Sequence, residues 1–202
     1  METELPRKEP IEPSPNERIR SSYNAPSESP GKELHIELIP LSMHFKNARA
    51  VVPEDIWGLL RSICFNLDGR RCGECNSNEN LECHEEWEFR TAPTRVMKLT
   101  RLRALCHLCH RCKHIGLAKG SVEYPEVEKH AMEHHGLSKE QLAQRARLAY
   151  EVVRERDLGG MYELDLTYLN DEIFLWVHHR FRKFGQNEIE NCRESITDDL
   201  DS

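Results

Sequence analysis

The chain has no apolar run approaching the length of a membrane span, and no apolar core near its start of the kind a secretory leader needs. It shows no internal repeat. Nor does it carry an overall basic excess: 28 Lys and Arg stand against 35 Asp and Glu, a net charge of −7. A spanning or exported protein is therefore not expected, and the average charge does not suggest a nucleic-acid binder. The cysteines also lack something. Of the eight, Cys64, Cys83, Cys112 and Cys192 show no disulfide-like framework, so a reducing, cytoplasmic compartment is the natural setting.

The average charge hides segregation. Residues 1–32 carry five basic and six acidic groups and residues 187–202 carry one and six, leaving 22 basic against 23 acidic between them. Within that nearly neutral centre, residues 89–119 contain Arg90, Arg95, Lys98, Arg101, Arg103, Arg111, Lys113 and Lys119 and no acid. Such a positive strip is where phosphate contacts are expected.

What the chain does have is a dense stretch from Cys72 to His114. It reads Cys72-Gly-Glu-Cys75, then Leu81-Glu-Cys-His84-Glu85, then Leu105-Cys106-His-Leu-Cys109-His110-Arg-Cys-Lys-His114. A C-x-x-C turn brings two thiolates to one side of a tight loop, and two such turns supply a tetrahedral zinc site from Cys72, Cys75, Cys106 and Cys109. If Cys106 opens a helix, His110 and His114 lie four apart on one face and can chelate one further metal. The blander possibility is that both simply occupy the solvated side of that helix. His84 in the intervening segment weighs against it.

These elements resemble the HNH, or ββα-metal, endonuclease family, whose pattern is a C-x-x-C knuckle, a strand ending in histidine, a second strand, and L-C-x-x-C-H-x-x-x-H on a helix. The match covers about forty-five residues. It departs from the family at Arg101, five residues before Cys106, where Asn is usual, and at the strand end, which reads Cys83-His84-Glu85. The resemblance implies an α+β fold with a hairpin-plus-helix core and hydrolysis of a phosphodiester in nucleic acid, with DNA the expected form. Zinc would be structural. A second divalent cation such as Mg, Mn or Ni would sit on His110 and His114, with His84 or Glu85 completing the site. His84 is preferred as the general base, since imidazole titrates near neutrality.

The rest of the chain frames this stretch. Residues 1–32 read as a disordered tail and 187–202 as a solvated acidic one. A zinc domain is expected over 33–124 and a helical extension over 125–186. Residues 34–42 alternate like a strand or extended arm. Pro53-Glu-Asp starts a helix with Ile56, Leu59, Leu60 and Ile63 on one face, and Asp68-Gly69 stops it. Strands are expected over 80–89 and 94–105, and a helix over 106–116. Further helices are expected over 125–135, 138–156 and 171–184, with an edge strand between Tyr162 and Tyr168. Strict alternation puts Leu81, Cys83, Glu85, Trp87 and Phe89 on one face and His84 on the other, so either the strand breaks and presents both His84 and Glu85 to the site or only one of them serves. His130 and His134, four apart, are explained by a solvated helix face as well as by another metal pair.

The expectation is a metal-dependent nuclease, catalytic through His84 and Glu85, that contacts nucleic acid through Arg95, Lys98, Arg101, Arg103, Arg111 and Lys113. Three other readings compete: a zinc-ribbon binding module whose catalytic site has decayed, a protein-interaction adaptor, and a single-zinc hydrolase of another class. Oligomeric state is not encoded in any of these features.

Overall fold

The computed structural model describes residues 34–171 and Phe174. Both tails, and the expected helix over 171–184 apart from Asp171 and Phe174, lie outside the described residues. The architecture is α+β, with a hairpin and helix at its centre. Strand β1 (Leu81–Arg90) pairs antiparallel with β2 (Val96–Cys106), from Leu81 opposite Cys106 to Arg90 opposite Val96. The register slips at Glu86/Trp87, where Thr100 is the extra residue and its hydroxyl donates to the Glu86 carbonyl at 2.9 Å.

Two α-helices precede the hairpin. The single turn α1 (Ala48–Val51) is capped by Asn47, and α2 (Glu54–Leu67) begins after Pro53 with Glu54 and Asp55 in its first turn. Ile56, Trp57, Leu60, Ile63 and Cys64 of α2 are buried against Met97, Leu99, Leu102 and Ala104 of β2. The chain leaves α2 through Asp68 and then Gly69, whose φ of 64° suits glycine. Asp68 also ties α2 to the sheet, since one carboxylate oxygen accepts the Ala104 N–H at 2.7 Å and the other accepts from Arg101 at 3.2 Å.

After β2 the chain turns directly into α3 (His107–Lys113), which breaks at His114 (φ −107°, ψ 41°) before the short α4 (Ile115–Ala118). The break replaces the continuous helix expected over 106–116. Helix α5 (Tyr124–His135) lays Val127 and Ala131 against Cys112, Ile115 and Ala118, forming a second apolar core with Leu34 and Leu142. Helix α6 (Lys139–Leu158) starts in a capping box of Ser138 and Gln141 and then leaves the core. Of the apolar stripe that the sequence lays out as Leu142, Ala146, Ala149, Val152 and Val153, Leu142 is buried and Ala146 packs on the second core, but Val152 stays 44% exposed, so the stripe is only partly covered. Strand β3 (Glu163–Asp165) adds parallel to β2 at its Val96 end.

Residues 34–40 form no strand. They lie as an extended strap whose Glu37 N–H donates to the Lys113 carbonyl at 2.8 Å, holding it against the end of α3. No helix among the described residues is long and apolar enough to cross a membrane.

Candidate metal centres

The first centre gathers the two C-x-x-C turns. Cys72 Sγ accepts the N–H groups of Glu74 (3.4 Å) and Cys75 (3.5 Å), and the turn closes at Asn76, whose φ is 64° and whose N–H donates to the Cys72 carbonyl. Cys106 caps α3, its sulfur accepting the Cys109 N–H at 3.5 Å. Gly73 N–H donates to the Ala104 carbonyl at 2.8 Å and binds the first knuckle to β2. A Cβ on Gly73 would come within 2.9 Å of the Arg103 guanidinium, so glycine is what permits this approach.

The result is a group of four sulfurs within 4.8 Å of one another, on Cys72, Cys75, Cys106 and Cys109, able to hold a metal such as zinc. Hydrogen bonds from the Cys106 and Cys109 thiols pull Cys72 down, while the bonds Cys109 gives to Cys106 and Cys72, with burial, push Cys109 up. A soft cation would neutralise the charge they share. His130 Nε2 stands 3.2 Å from Cys109 Sγ. His130 and His134 are stacked at 5.7 Å, and the metal-capable groups among the described residues do not include them.

The second centre lies on the same hairpin and helix. His84 is on the face of β1 opposite Cys83 and Glu85, and it meets His110 and His114 from α3 and the break that ends it. The three rings form a near-equilateral triangle, with centroids 5.1 Å apart for His84 and His110 and 5.0 Å for each other pair. One nitrogen from each can reach within 4.8 Å of the other two.

Each ring spends its other nitrogen on an outer acceptor. His84 Nε2 faces a Glu37 carboxylate oxygen at 3.2 Å, His114 Nδ1 faces the Glu37 carbonyl at 2.9 Å, and His110 Nδ1 faces a Glu82 carboxylate oxygen. With the proton on each of those nitrogens, the lone pairs of His84 Nδ1, His110 Nε2 and His114 Nε2 remain for a cation. His84 Nδ1 is fully buried and has no hydrogen-bond partner among the described residues. A buried polar atom in that condition is costly unless something binds it. That fits a metal held by three imidazoles, the donor set of a site that leaves a position for substrate.

Electrostatics favour the neutral form at His110 and His114. Burial, then the charges of His84 and His110, push His114 down to about 4, and burial likewise lowers His110. Burial would raise Glu37, but its hydrogen bond with His84 and the charges of His84, Lys113 and His114 outweigh that and leave it below the usual range. Glu82 is lowered in the same way, against burial, by hydrogen bonds with His107 and His110.

Glu85 is placed elsewhere. Its carboxylate accepts the Arg49 N–H at 2.9 Å, on the side of the strand that faces α1, and burial raises its pKa. A helix terminus thus answers why a carboxylate lies on the apolar face of β1.

Most cations of the strip are paired within the protein. Arg103, 6% exposed, pairs with Glu74 and Glu86 at 3.1 Å each, and Lys113, 4% exposed, with Glu74 at 3.3 Å. Arg101 bonds Asp68, and Arg111 bonds Glu123 at 3.0 Å. Arg95 lies over the Tyr162 ring at 4.0 Å and donates to the Arg156 carbonyl. Lys98 stands 4.0 Å from Asp165 and is more than a third exposed. Arg103 and Lys113 are thus too deep to serve as phosphate contacts, and the acids that match the strip come from outside it.

Glu37 and Glu82, the acceptors that orient the three histidines, were not singled out from the sequence. Glu82 had a readable signal, since it lies two residues before His84 on the same strand face. Glu37 had none, being 47 residues from its partner. Comparisons with family models, with curated proteins and with solved structures found no match for this chain.

Proposed function

We propose that the protein is a metal-dependent hydrolase of phosphodiester bonds in nucleic acid, of the HNH type that its cysteine and histidine spacing resembles. The observation that carries this reading is the buried, unpartnered Nδ1 of His84 beside His110 and His114. The three imidazoles hold a divalent cation, and Glu82 and Glu37 fix the rings that hold it. Such a cation supplies Lewis acidity toward a phosphoryl oxygen. The four cysteines hold zinc and clamp the first knuckle to the start of α3. None of the seven described cysteines is in a disulfide, which suits a reducing cytoplasm.

His84 serves here as the third ligand. His84→Ala therefore loses the cation as well as cleavage, whereas a free general base would lose cleavage alone. Of the strip, Lys98 and Arg111 are exposed enough to reach a phosphate, while Arg103 and Lys113 act as struts. A second reading, a zinc-ribbon module that binds without cutting, is favoured by that same pairing and by Arg101 being engaged with Asp68 where the family has Asn.

Plasmid nicking by the full chain, before and after chelation and with Mg, Mn, Ni or Zn restored, tests the proposal. Metal-dependent nicking that disappears in His114→Ala upholds it. A parent protein that retards DNA yet cleaves with none of these ions hands the assignment to the binding module.

A further inference from the structure

The strap over residues 34–40 contributes more than coverage. Glu37 bonds two of the three histidines in two different ways: its side chain takes His84 Nε2 at 3.2 Å, and its own carbonyl takes His114 Nδ1 at 2.9 Å. Glu37 is itself held. Its N–H donates to the Lys113 carbonyl at 2.8 Å, and its second carboxylate oxygen lies 3.7 Å from Lys113 Nζ. Lys113 in turn reaches Glu74, between the two cysteines of the first knuckle, at 3.3 Å. An imidazole presents only one nitrogen to a metal, and the hydrogen bond at the other nitrogen decides which one and at what ring angle. His84 and His114 must present opposite nitrogens, Nδ1 and Nε2, to converge on one point. Nothing in a histidine enforces that difference.

We propose that Glu37 is a positioning residue of the histidine centre, selecting the Nε2–H form of His84 and the Nδ1–H form of His114 so that both lone pairs face one cation. The inference rests on the reading that these histidines hold a metal, and it assigns to a segment remote in sequence the job of aiming them.

The test uses the full chain with zinc on the cysteines. Co(II) is titrated in and followed by its visible absorption, with the thiolate-to-cobalt band checking that the cysteine centre keeps its zinc. Glu37→Ala is expected to weaken Co(II) binding about 10- to 100-fold. Glu37→Gln, which retains an acceptor oxygen, should recover most of that loss. Long-range nitrogen–proton NMR of the imidazoles supplies a readout that a merely structural role would not move. His84 should be the Nε2–H form in the parent and in Glu37→Gln, and mixed in Glu37→Ala. A Glu37→Ala protein that binds Co(II) as tightly as the parent, with the His84 form unchanged, overturns the proposal. A parent that takes up no Co(II), with the His84 form still shifting in Glu37→Ala, sinks the metal reading while upholding the hold of Glu37 on the ring.

Discussion

The cysteine centre and the histidine centre draw on the same hairpin and the same helix, yet they are built to different ends. The cysteine group closes on itself: four sulfurs from two tight turns, with the nearest N–H groups already pointing at them. Four thiolates complete a tetrahedral shell and leave no position for a substrate. The histidine group has three donors, each braced from outside, and one buried nitrogen without a partner. The first arrangement suits folding, because its ligands come from segments that must be brought together. Under the proposed function the second suits chemistry, because its braces would lock ring direction while three imidazoles would leave a coordination position open.

If that contrast is right, substitutions should separate along it. Cys106→Ser should have the largest effect, removing zinc from the cysteine centre and unfolding the hairpin region at a cost on the order of several kcal/mol, read by zinc content and thermal unfolding. Full zinc retention in that variant would break the comparison at once. Arg103→Met comes next, at about 2 kcal/mol in urea unfolding, since it removes one of the two cations on the buried Glu74 and leaves Lys113 alone to hold that carboxylate beside the first knuckle. Glu85→Ala should cost about 1 kcal/mol by losing the acceptor for the Arg49 N–H, and should leave divalent binding at the histidines unchanged. Loss of that binding would return Glu85 to the site. The smallest effect on stability, below about 1 kcal/mol, belongs to His110→Ala, whose side chain is 22% exposed. The same variant should bind Co(II) at least about a hundredfold more weakly than the parent. Were it to unfold the protein as thoroughly as Cys106→Ser, the division into a folding centre and a chemical centre would fail.

The apolar framework shows how local signals succeed and where they stop. Ile56, Leu60 and Ile63 recur at helical spacing, and all three are buried in α2. The α6 stripe of Leu142, Ala146, Ala149, Val152 and Val153 was equally regular in sequence, but past Ala146 the helix departs from the second core and Val152 remains exposed. Periodicity reports which side chains share a face, and it says nothing of whether another element arrives to cover that face.

For the sites, the residues themselves determined whatever depends on near neighbours. C-x-x-C spacing dictates a turn with two convergent sulfurs, and four-residue spacing puts His110 and His114 on one side of a helix, whatever the rest of the chain does. Alternation along β1 likewise required His84 and Glu85 to face opposite ways. Tertiary structure decided which of the two joined the histidines, because only the folded chain shows α3 on one side of the strand and α1 on the other. It also decided the fate of the basic strip, whose acid-free sequence looked exposed until Asp68, Glu74, Glu86 and Asp165 folded onto it. The same holds for Glu37, which reaches His84 across 47 residues. An ion pair or an imidazole brace is set by distance in space, and no spacing rule in a sequence measures that.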